Sequence, residues 1–373
     1  MRKQLQDLID SVKQLQDLLI DPTGFRLILT HNDGDEPIMD NEEPIVWHES
    51  ILDEYWNQLE EKIDERKQLG ILTVIPHIQI VNVEMKKERL ASLVDICRSG
   101  FVNNSSNFVD FYNANLCGEG IVYLSKLVDV SAMLQSFSIS HNRMDNMESV
   151  RCLSRSLKSH SSINELHLNH CDLGSSPEML SVILQSDVKY INLENNNIDS
   201  LGVLTIAEYL ESDPPIQRID LDRNRLNNDD AILISQALKR NTNLRHMDLK
   251  GNHFTSVGVN ALLTCVFDSS TLNAISESNH TLTRIDIIPS HNFNLAGCIG
   301  RLLQLNRTQK IMLALQDKDS LLYYLANVPL ELIPEVLAFP LCRVVDEHQH
   351  KHLNIVYSTM RWWNMPMLYS YLN

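Results

Sequence analysis

The residues of this chain with the clearest capacity for chemistry are three histidines, His141, His167 and His170, together with Cys171. Imidazole nitrogen and thiolate sulfur are ligands that Zn²⁺ binds in tetrahedral sites. The histidines fall on neighbouring copies of one sequence motif, so a metal site is the first hypothesis to consider. It requires that all four side chains point to the same side of the chain.

Other candidate ligands lie near the two ends of the chain. An acidic segment at 32–43 (NDGDEPIMDNEE) offers carboxylates for Ca²⁺ but lacks the D-x-D-x-D-G order of an EF-hand. The segment DEHQHKHLN carries alternating histidines after two acidic residues: His348, His350 and His352 after Asp346 and Glu347. We interpret both segments as solvated loops. The sequence contains no Ser/His/Asp order, phosphate-binding Gly loop or H-E-x-x-H helix, so we predict no enzyme, no cofactor and no metal.

An eleven-residue motif repeats three times in the middle of the chain, as VKYINLENNNI, IQRIDLDRNRL and LRHMDLKGNHF. Apolar residues occupy motif positions 1, 4, 6 and 11, and asparagine occupies motif position 9. The alternation at positions 4 and 6 predicts a short strand. The asparagine predicts an inward turn, because its amide both donates to and accepts from backbone groups that would otherwise lack partners.

More divergent copies extend this array in both directions. The segments 134–144 and 163–173 keep the motif, with Cys171 at position 9 of the second, and 75–85, 106–116 and 282–292 keep only its strand. Between copies, apolar residues recur at helical spacing, as in Leu204, Ala207 and Leu210. A unit of strand, turn and helix buries its apolar face only by stacking on its neighbours. Position 9 then points inward while His141, His167 and His170 point outward, which disfavours the zinc site.

These features resemble leucine-rich repeats of the ribonuclease-inhibitor-like subfamily, with units about 28 residues apart. The resemblance covers roughly 75–292 and implies an α/β solenoid, in which a parallel sheet lines the concave side of an arc and helices line the convex side. The tail segments SNHTLTRID, VPLELIPEVLAF and LNIVYSTMRWWNMP are similar to uncharacterised repeat proteins of unicellular algae, which have no assigned activity. We predict an N-terminal helical cap with the acidic loop at 1–70, about eight repeats at 71–295 and a C-terminal helical cap at 296–373.

Side chains at motif positions 5, 7 and 8 face the concave side, and stacking of the units turns each position into a column about 4.8 Å per step. The position 5 column ends in three aspartates, and with its neighbours this predicts an acidic groove. We therefore expect a protein partner, and the acidic groove favours one that bears Lys or Arg. We expect that reversing Asp220, Asp248 and Asp286 to lysine leaves the fold intact but weakens binding. The predicted protein-binding residues are Asp110, Tyr112, His141, His167, His170, Tyr190, Asn192, Glu194, Asp220, Asp222, Arg223, Asp248, Lys250 and Asp286.

An alternative function is the regulation or inhibition of an enzyme such as a small GTPase. Similar repeats form the GTPase-activating protein of the Ran system, which combines an early-loop arginine with an acidic tail. Arg143 follows a turn asparagine here, but the chain ends in WWNMPMLYSYLN and has no acidic tail. We therefore favour a protein-binding scaffold over this alternative.

The composition of the whole chain narrows the classes of partner and compartment. A net charge of -16 disfavours a nucleic-acid partner, and no apolar run reaches the length of a membrane helix. Acidic residues interrupt the N-terminal apolar segment, which disfavours a signal or transit peptide. Seven cysteines without metal-ligand spacing indicate a reducing compartment, so we expect a cytoplasmic protein, with the nucleus as the alternative. The apolar heptads at 5–19 span only about two repeats, so we expect a monomer rather than a homodimer.

Overall fold

The computed structural model describes residues 27–30, 49–70, 73–74, 77–81, 83–98, 102–103, 107–116, 118–268, 274 and 277–287. The heptads at 5–19, the acidic loop at 32–43, the histidines at 348–352 and the predicted C-terminal cap lie outside these residues. The predicted domain boundaries remain predictions.

The described part contains one parallel sheet of nine strands in the order β1-β3-β5-β6-β7-β8-β9-β10-β11. Its strands are β1 (Leu27–Thr30), β3 (His77–Val81), β5 (Phe108–Tyr112), β6 (Ser136–Ser138), β7 (Glu165–His167), β8 (Tyr190–Asn192), β9 (Arg218–Asp220), β10 (His246–Asp248) and β11 (Arg284–Asp286). Two further short strands, β2 (Thr73–Val74) and β4 (Val102–Asn103), pair with each other. Successive repeats place motif positions 3, 4 and 5 in register, as where Tyr190, Ile191 and Asn192 pair with Arg218, Ile219 and Asp220.

Within the described residues, the strands are accompanied by eight α-helices: α1 (Glu49–Gln68), α2 (Lys87–Arg98), α3 (Gly118–Val130), α4 (Met147–Ser159), α5 (Pro177–Leu184), α6 (Ser200–Glu211), α7 (Asn228–Arg240) and α8 (Ser256–Val266). A 3-10 turn, Leu173–Ser175, precedes α5. Polar side chains cap the N-termini of α4 to α8; Asn227, for example, caps α7 by accepting from two backbone amides. No helix in the described part has the length and apolar character that a membrane crossing requires.

Where motif position 9 is asparagine, its side chain joins the unit to the one before it. Asn224 Oδ1 accepts from the backbone amides of Asn196 and Ile198, both at 3.0 Å, and its Nδ2 donates to Leu193 O at 3.0 Å. Asn142 makes the same bonds to the preceding unit: its Oδ1 accepts from the amides of Ala114 and Leu116, and its Nδ2 donates to Phe111 O. The predicted role of the asparagine is confirmed. These bonds supply partners to backbone groups that the inward turn removes from the sheet.

A continuous apolar core runs between the sheet and the helices. The position 4 side chains of β5 to β10 are all 0–1% exposed: Val109, Phe137, Leu166, Ile191, Ile219 and Met247. Of the helix residues predicted to face inward, Ala207 and Leu210 are likewise buried, but the prediction for Leu204 is wrong: it is 46% exposed, and Val203 and Ile206 of the same helix are buried instead. At the N-terminal side, Trp56 of α1 is buried and donates from Nε1 to Ser92 Oγ of α2 at 3.0 Å. The chain is therefore a leucine-rich-repeat solenoid of α/β class.

Candidate functional site

The backbone at motif position 8 is left-handed in every unit from β5 to β10. The φ angles are +49° at Asn113, +58° at His141, +60° at His170, +50° at Asn195, +53° at Arg223 and +64° at Gly251. Asparagine and glycine accept this conformation readily, whereas other residues adopt it at some cost. It turns the chain out of the strand and aligns the position 8 side chains of successive units along one rim of the concave face.

Three rings are in contact along this rim, the two imidazoles stacked and the tyrosine tilted by 41° against His141, and we call Tyr112, His141 and His170 the imidazole row. The Tyr112 and His141 rings have centroids 4.3 Å apart, and those of His141 and His170 lie 3.9 Å apart at an interplanar angle of 17°. Asn195 Nδ2 lies 2.9 Å from His170 Nδ1 and continues the row into the next unit. All three rings are half-buried.

A second ring group lies deeper on the same face, on β7 and β8. His167 contacts Tyr190 edge-on at 5.1 Å, and the Arg218 guanidinium lies 4.4 Å above the Tyr190 ring. Burial lowers the pKa of His167 despite Glu165, whose Oε2 is 3.7 Å from His167 Nε2. Burial also raises the pKa of Tyr190 to about 12, so both rings are neutral near pH 7.

The outward side chains of β9 to β11 are mostly charged, whereas those of β5 to β8 are mostly rings, serines and amides. Asp286 accepts from Arg284 Nε at 2.7 Å and from His246 Nε2 at 2.9 Å. Lys250 Nζ lies 2.9 Å from Asp248 and 3.7 Å from Asp286. Burial by itself would raise the pKa of Asp286, but the hydrogen bonds from Arg284 and His246, together with the Lys250 charge, lower it.

The position 5 side chains also cap the backbone within their own unit. Asp220 Oδ1 accepts from the amide of Asp222 at 3.2 Å, and Asp248 Oδ1 accepts from the amide of Lys250 at 3.1 Å. Asn192 makes the same bond to the amide of Glu194 at 2.9 Å. Because Asp220 and Asp248 are each only 8% exposed, they are structural groups, with little carboxylate surface for a partner.

The predicted acidic groove is therefore balanced by cations over β9 to β11. Arg218 and Arg284, at motif position 3, were not among the predicted site residues, although they face outward like Lys250 and Arg223. Counted over these three units, the ion-paired side chains comprise four carboxylates and four cations: Asp220, Asp222, Asp248 and Asp286 with Arg218, Arg223, Lys250 and Arg284. Because side chains alternate along a strand, position 3 faces outward like positions 5 and 7, and this alternation could have added it to the predicted site.

The expectation that lysine reversal at positions 220, 248 and 286 leaves the fold intact conflicts with this geometry. Lysine has no acceptor for the capped amides, and it would bring an ammonium group beside Arg218, Lys250 or Arg284. Burial, with repulsion from Asp248, raises the pKa of Asp220, which shows how closely this column is packed.

Among the described residues, two groups bring possible metal ligands near one another, and in neither are the ligand atoms free to converge on one ion. The His141 and His170 rings are stacked rather than convergent, and Cys171 Sγ lies inside the core, 3.4 Å from Ile139 O. His246, Asp248 and Asp286 offer ligand atoms within 4.8 Å of one another. Lys250 already places its ammonium group between those two carboxylates, so a metal ion would have to displace it.

The structure thus places the predicted site residues in two regions of one face. Asp110, Tyr112, His141, His167, His170, Tyr190, Asn192 and Glu194 lie on β5 to β8 and their turns, and Asp220, Asp222, Arg223, Asp248, Lys250 and Asp286 lie on β9 to β11 and their turns. Arg143, the residue of the GTPase alternative, has a side chain 74% exposed, with Nε 3.8 Å from Asp172.

Comparison with known proteins returns structures of low identity. No family model matches the chain, and no curated protein matches it. Among solved structures, the tropomodulin C-terminal domain from Caenorhabditis elegans is 12% identical and covers 53% of this chain and 97% of its own, with a TM-score of 0.31. Leiomodin-1 actin-binding site 2 is 14% identical and covers 57% and 99%, with a TM-score of 0.31. The leucine-rich repeat-containing protein LegL7 from Legionella pneumophila is 13% identical and covers 75% and 97%, with a TM-score of 0.32.

Proposed function

We propose that this chain is a scaffold that binds another protein through the concave face of its repeats, at β5 to β8, without catalysing a reaction itself. The observation that carries the proposal is the imidazole row. Rings on an open face usually lose rotamer freedom when they bind, whereas Tyr112, His141 and His170 already hold one another in place. Prior ordering lowers the entropic cost of association, and aromatic groups are enriched at protein interfaces.

We further infer ribonuclease-inhibitor-like units and a cytoplasmic setting. A full α-helix follows each strand from β5 to β10, with lengths of 8 to 13 residues, in support of that subfamily. Cys97 and Cys171 are buried free thiols, which suits a reducing compartment. Burial raises the pKa of Cys97 and of Cys171 to about 12, so these thiols act as apolar core groups rather than as nucleophiles.

The test uses substitutions that the repeat array itself supplies. The triple variant Tyr112→Asn, His141→Asn, His170→Asn copies Asn169 into position 7 and Asn113 or Asn195 into position 8, so the left-handed backbone is kept. A control, Leu201→Ser with Val257→Ser, changes two convex side chains that are 65% and 57% exposed.

Each purified protein is immobilised and exposed to cell extract, after urea unfolding has shown that all variants are folded. We expect a protein that wild type and the convex control retain and that the triple variant loses. Retention by the triple variant, or loss from the convex control alone, would remove the concave face from the proposal.

A further inference from the structure

An arginine within the chain shows how this concave face accommodates a guanidinium group. Arg218 of β9 lies over the ring of Tyr190 on β8, and its Nη2 is 3.7 Å from Asp220. Tyr190 and Arg218 both occupy motif position 3 and stand in register on neighbouring strands. An aromatic side chain at position 3 thus stands beside an arginine at position 3 of the next strand. The carboxylate that pairs with this arginine is at position 5 of the arginine's own strand.

A related arrangement occurs on β5 and β6, but without the arginine. Phe108 occupies motif position 3 of β5, and Ser136 stands in register with it on β6, where Arg218 stands relative to Tyr190. Here the position 5 carboxylate, Asp110, belongs to the strand of the aromatic ring, and it is only 9% exposed, so it contributes charge rather than an open surface. Ser136 is 9% exposed, and its Oγ has no hydrogen-bond partner among the residues that the structure describes.

Strand β6 is also the point at which the concave side chains are smallest. Its outward residues are Ser136, Ser138 and Ser140, whereas both neighbouring strands carry larger outward groups: Phe108, Tyr112, Glu165 and His167. Strands β5 and β7 are two strand spacings apart, about 9.6 Å, which is wide enough for one planar group between their side chains. The larger groups are half-buried or exposed and so border the serines at the surface.

The charge over these strands differs from that over β9 to β11. At the outward motif positions 3, 5, 7 and 8 of β5 to β7 the charged residues are Asp110 and Glu165, and none of these positions is lysine or arginine. Asp110 accepts from Gln79 Nε2 at 3.4 Å, and Glu165 is 51% exposed on its side chain. The region therefore carries aromatic rings and a net negative charge, which together attract a cation.

We propose that the partner inserts an arginine over β6, stacked against Phe108 and paired with the exposed Glu165, with the charge of buried Asp110 nearby, in the place relative to Phe108 that Arg218 of β9 takes relative to Tyr190. This rests on the proposed scaffold function and names its anchor. Arginine fits better than lysine because its planar group stacks on rings and bonds carboxylates with two donors, whereas the ammonium group is compact and more strongly hydrated.

The first test titrates ¹⁵N-labelled full-length protein with the peptide Ac-Gly-Ser-Arg-Ser-Gly-NH₂ and with its citrulline analogue, which keeps the shape and removes the charge. We expect the arginine peptide to shift the amides of Phe108, Ser136 and Glu165 and to bind about fivefold more tightly than the analogue. Equal affinities, or shifts confined to β9 to β11, would overturn the proposal.

The second test fills the site from within the chain. Ser136→Arg should copy the Tyr190–Arg218 pair and abolish binding of the arginine peptide, whereas Asn260→Arg, which adds the same charge on the exposed face of α8, should leave it unchanged. If Ser136→Arg does not fold, Glu165→Gln replaces it, with about a threefold loss of peptide affinity expected. Unchanged peptide affinity in a folded Ser136→Arg or in Glu165→Gln contradicts the proposal.

The two proposals fail in different ways. If the captured protein partner is lost from the triple variant of the imidazole row but binds folded Ser136→Arg as it binds wild type, the scaffold function stands and the arginine anchor is wrong. If the triple variant retains its partner, the concave site of the scaffold is itself wrong.

Discussion

The concave face has two regions that share one backbone and differ in the side chains placed upon it. Over β5 to β8 the outward groups are mostly rings, serines and amides, while over β9 to β11 they are carboxylates and cations in contact with one another. The position 5 aspartates of the second region look like a binding surface in the sequence, but their oxygens are committed to backbone amides and in-chain cations. A column of aspartates therefore attracts a partner only through the carboxylates that are not already bonded to amides or cations of the same chain.

The largest expected effect separates the two regions by stability. Asp248→Lys removes the cap of the Lys250 amide and places two ammonium groups together, so we expect a loss of about 3 kcal/mol or more in the free energy of unfolding. Glu165→Lys, the same reversal on an exposed side chain of the first region, should change it by less than about 0.5 kcal/mol. Urea unfolding measures both, and similar losses would erase the distinction between the regions.

The next effect separates the charge of Asp220 from its role as an acceptor. Asp220→Ala removes the cap of the Asp222 amide and should cost about 1.5 kcal/mol in the free energy of unfolding. Asp220→Asn keeps that acceptor, as Asn192 does in register one strand away, and should cost less than about 0.5 kcal/mol. Chemical denaturation of the two variants checks this; equal losses would show that the charge matters more than the cap.

Asp220 also predicts how the stability of the protein changes at acidic pH. Burial raises the pKa of Asp220 in the folded state, so its charge costs stability at pH values above the unfolded value of 3.8. That cost is relieved as the pH falls through the raised folded pKa, because the folded state then binds the proton first. The gain of wild type relative to Asp220→Asn on acidification measures it, and no relative gain would contradict the burial of this carboxylate.

A smaller effect tests whether the imidazole row acts as a unit. His141→Asn and His170→Asn preserve the left-handed backbone and remove one stacked ring each, so we expect each to cost about 0.5–1 kcal/mol in unfolding free energy. In a double-mutant cycle the second substitution should cost less than the first, with a coupling of about 0.5 kcal/mol. Strict additivity would mean that the rings are neighbours without mutual stabilisation.

The smallest effect is the pH dependence of His167. Burial lowers its folded pKa from 6.5, so the unfolded state binds the proton first as the pH falls. Its contribution to stability is therefore lost below about pH 6.5 and levels off once the pH is under the lowered folded value. Unfolding free energies measured between about pH 7.5 and pH 5 should fall less for His167→Gln than for wild type. An equal fall would place the titrating group elsewhere.

Much of the fold was predictable because its signals are periodic. Alternation at motif positions 4 and 6 gave the strands, and asparagine at position 9 gave the hydrogen bonds that join successive units. Helical spacing gave most of the inward helix residues, although Leu204 of α6 is exposed. The predicted columns also exist, since strands in register place equivalent positions side by side. The left-handed backbone at position 8 was missed, although asparagine, histidine and glycine recur there.

The division of the concave face depended on contacts that cross strands. An aspartate can bind a partner only if nearby side chains of the chain do not already bind it. Asp286 is bound in this way by His246 and Lys250 of the neighbouring unit and by Arg284 of its own strand. Apart from Tyr190, position 3 was not included in the prediction, so His246 and Arg284 were not considered, whereas Lys250 at position 7 was. The same omission hid Arg218, whose contact with Tyr190 shows how a guanidinium group sits on this face.

The sequence by itself determined the repeat, the period of its strands and helices, the inward asparagine and the column to which each outward residue belongs. These follow from local rules, because alternation and helical spacing depend only on residues close in the chain. The tertiary structure decided which rings stack, which carboxylates cap an amide and which cations neutralise them. Those outcomes depend on distances of a few ångströms between residues about 28 positions apart, and a column of residue types does not contain those distances.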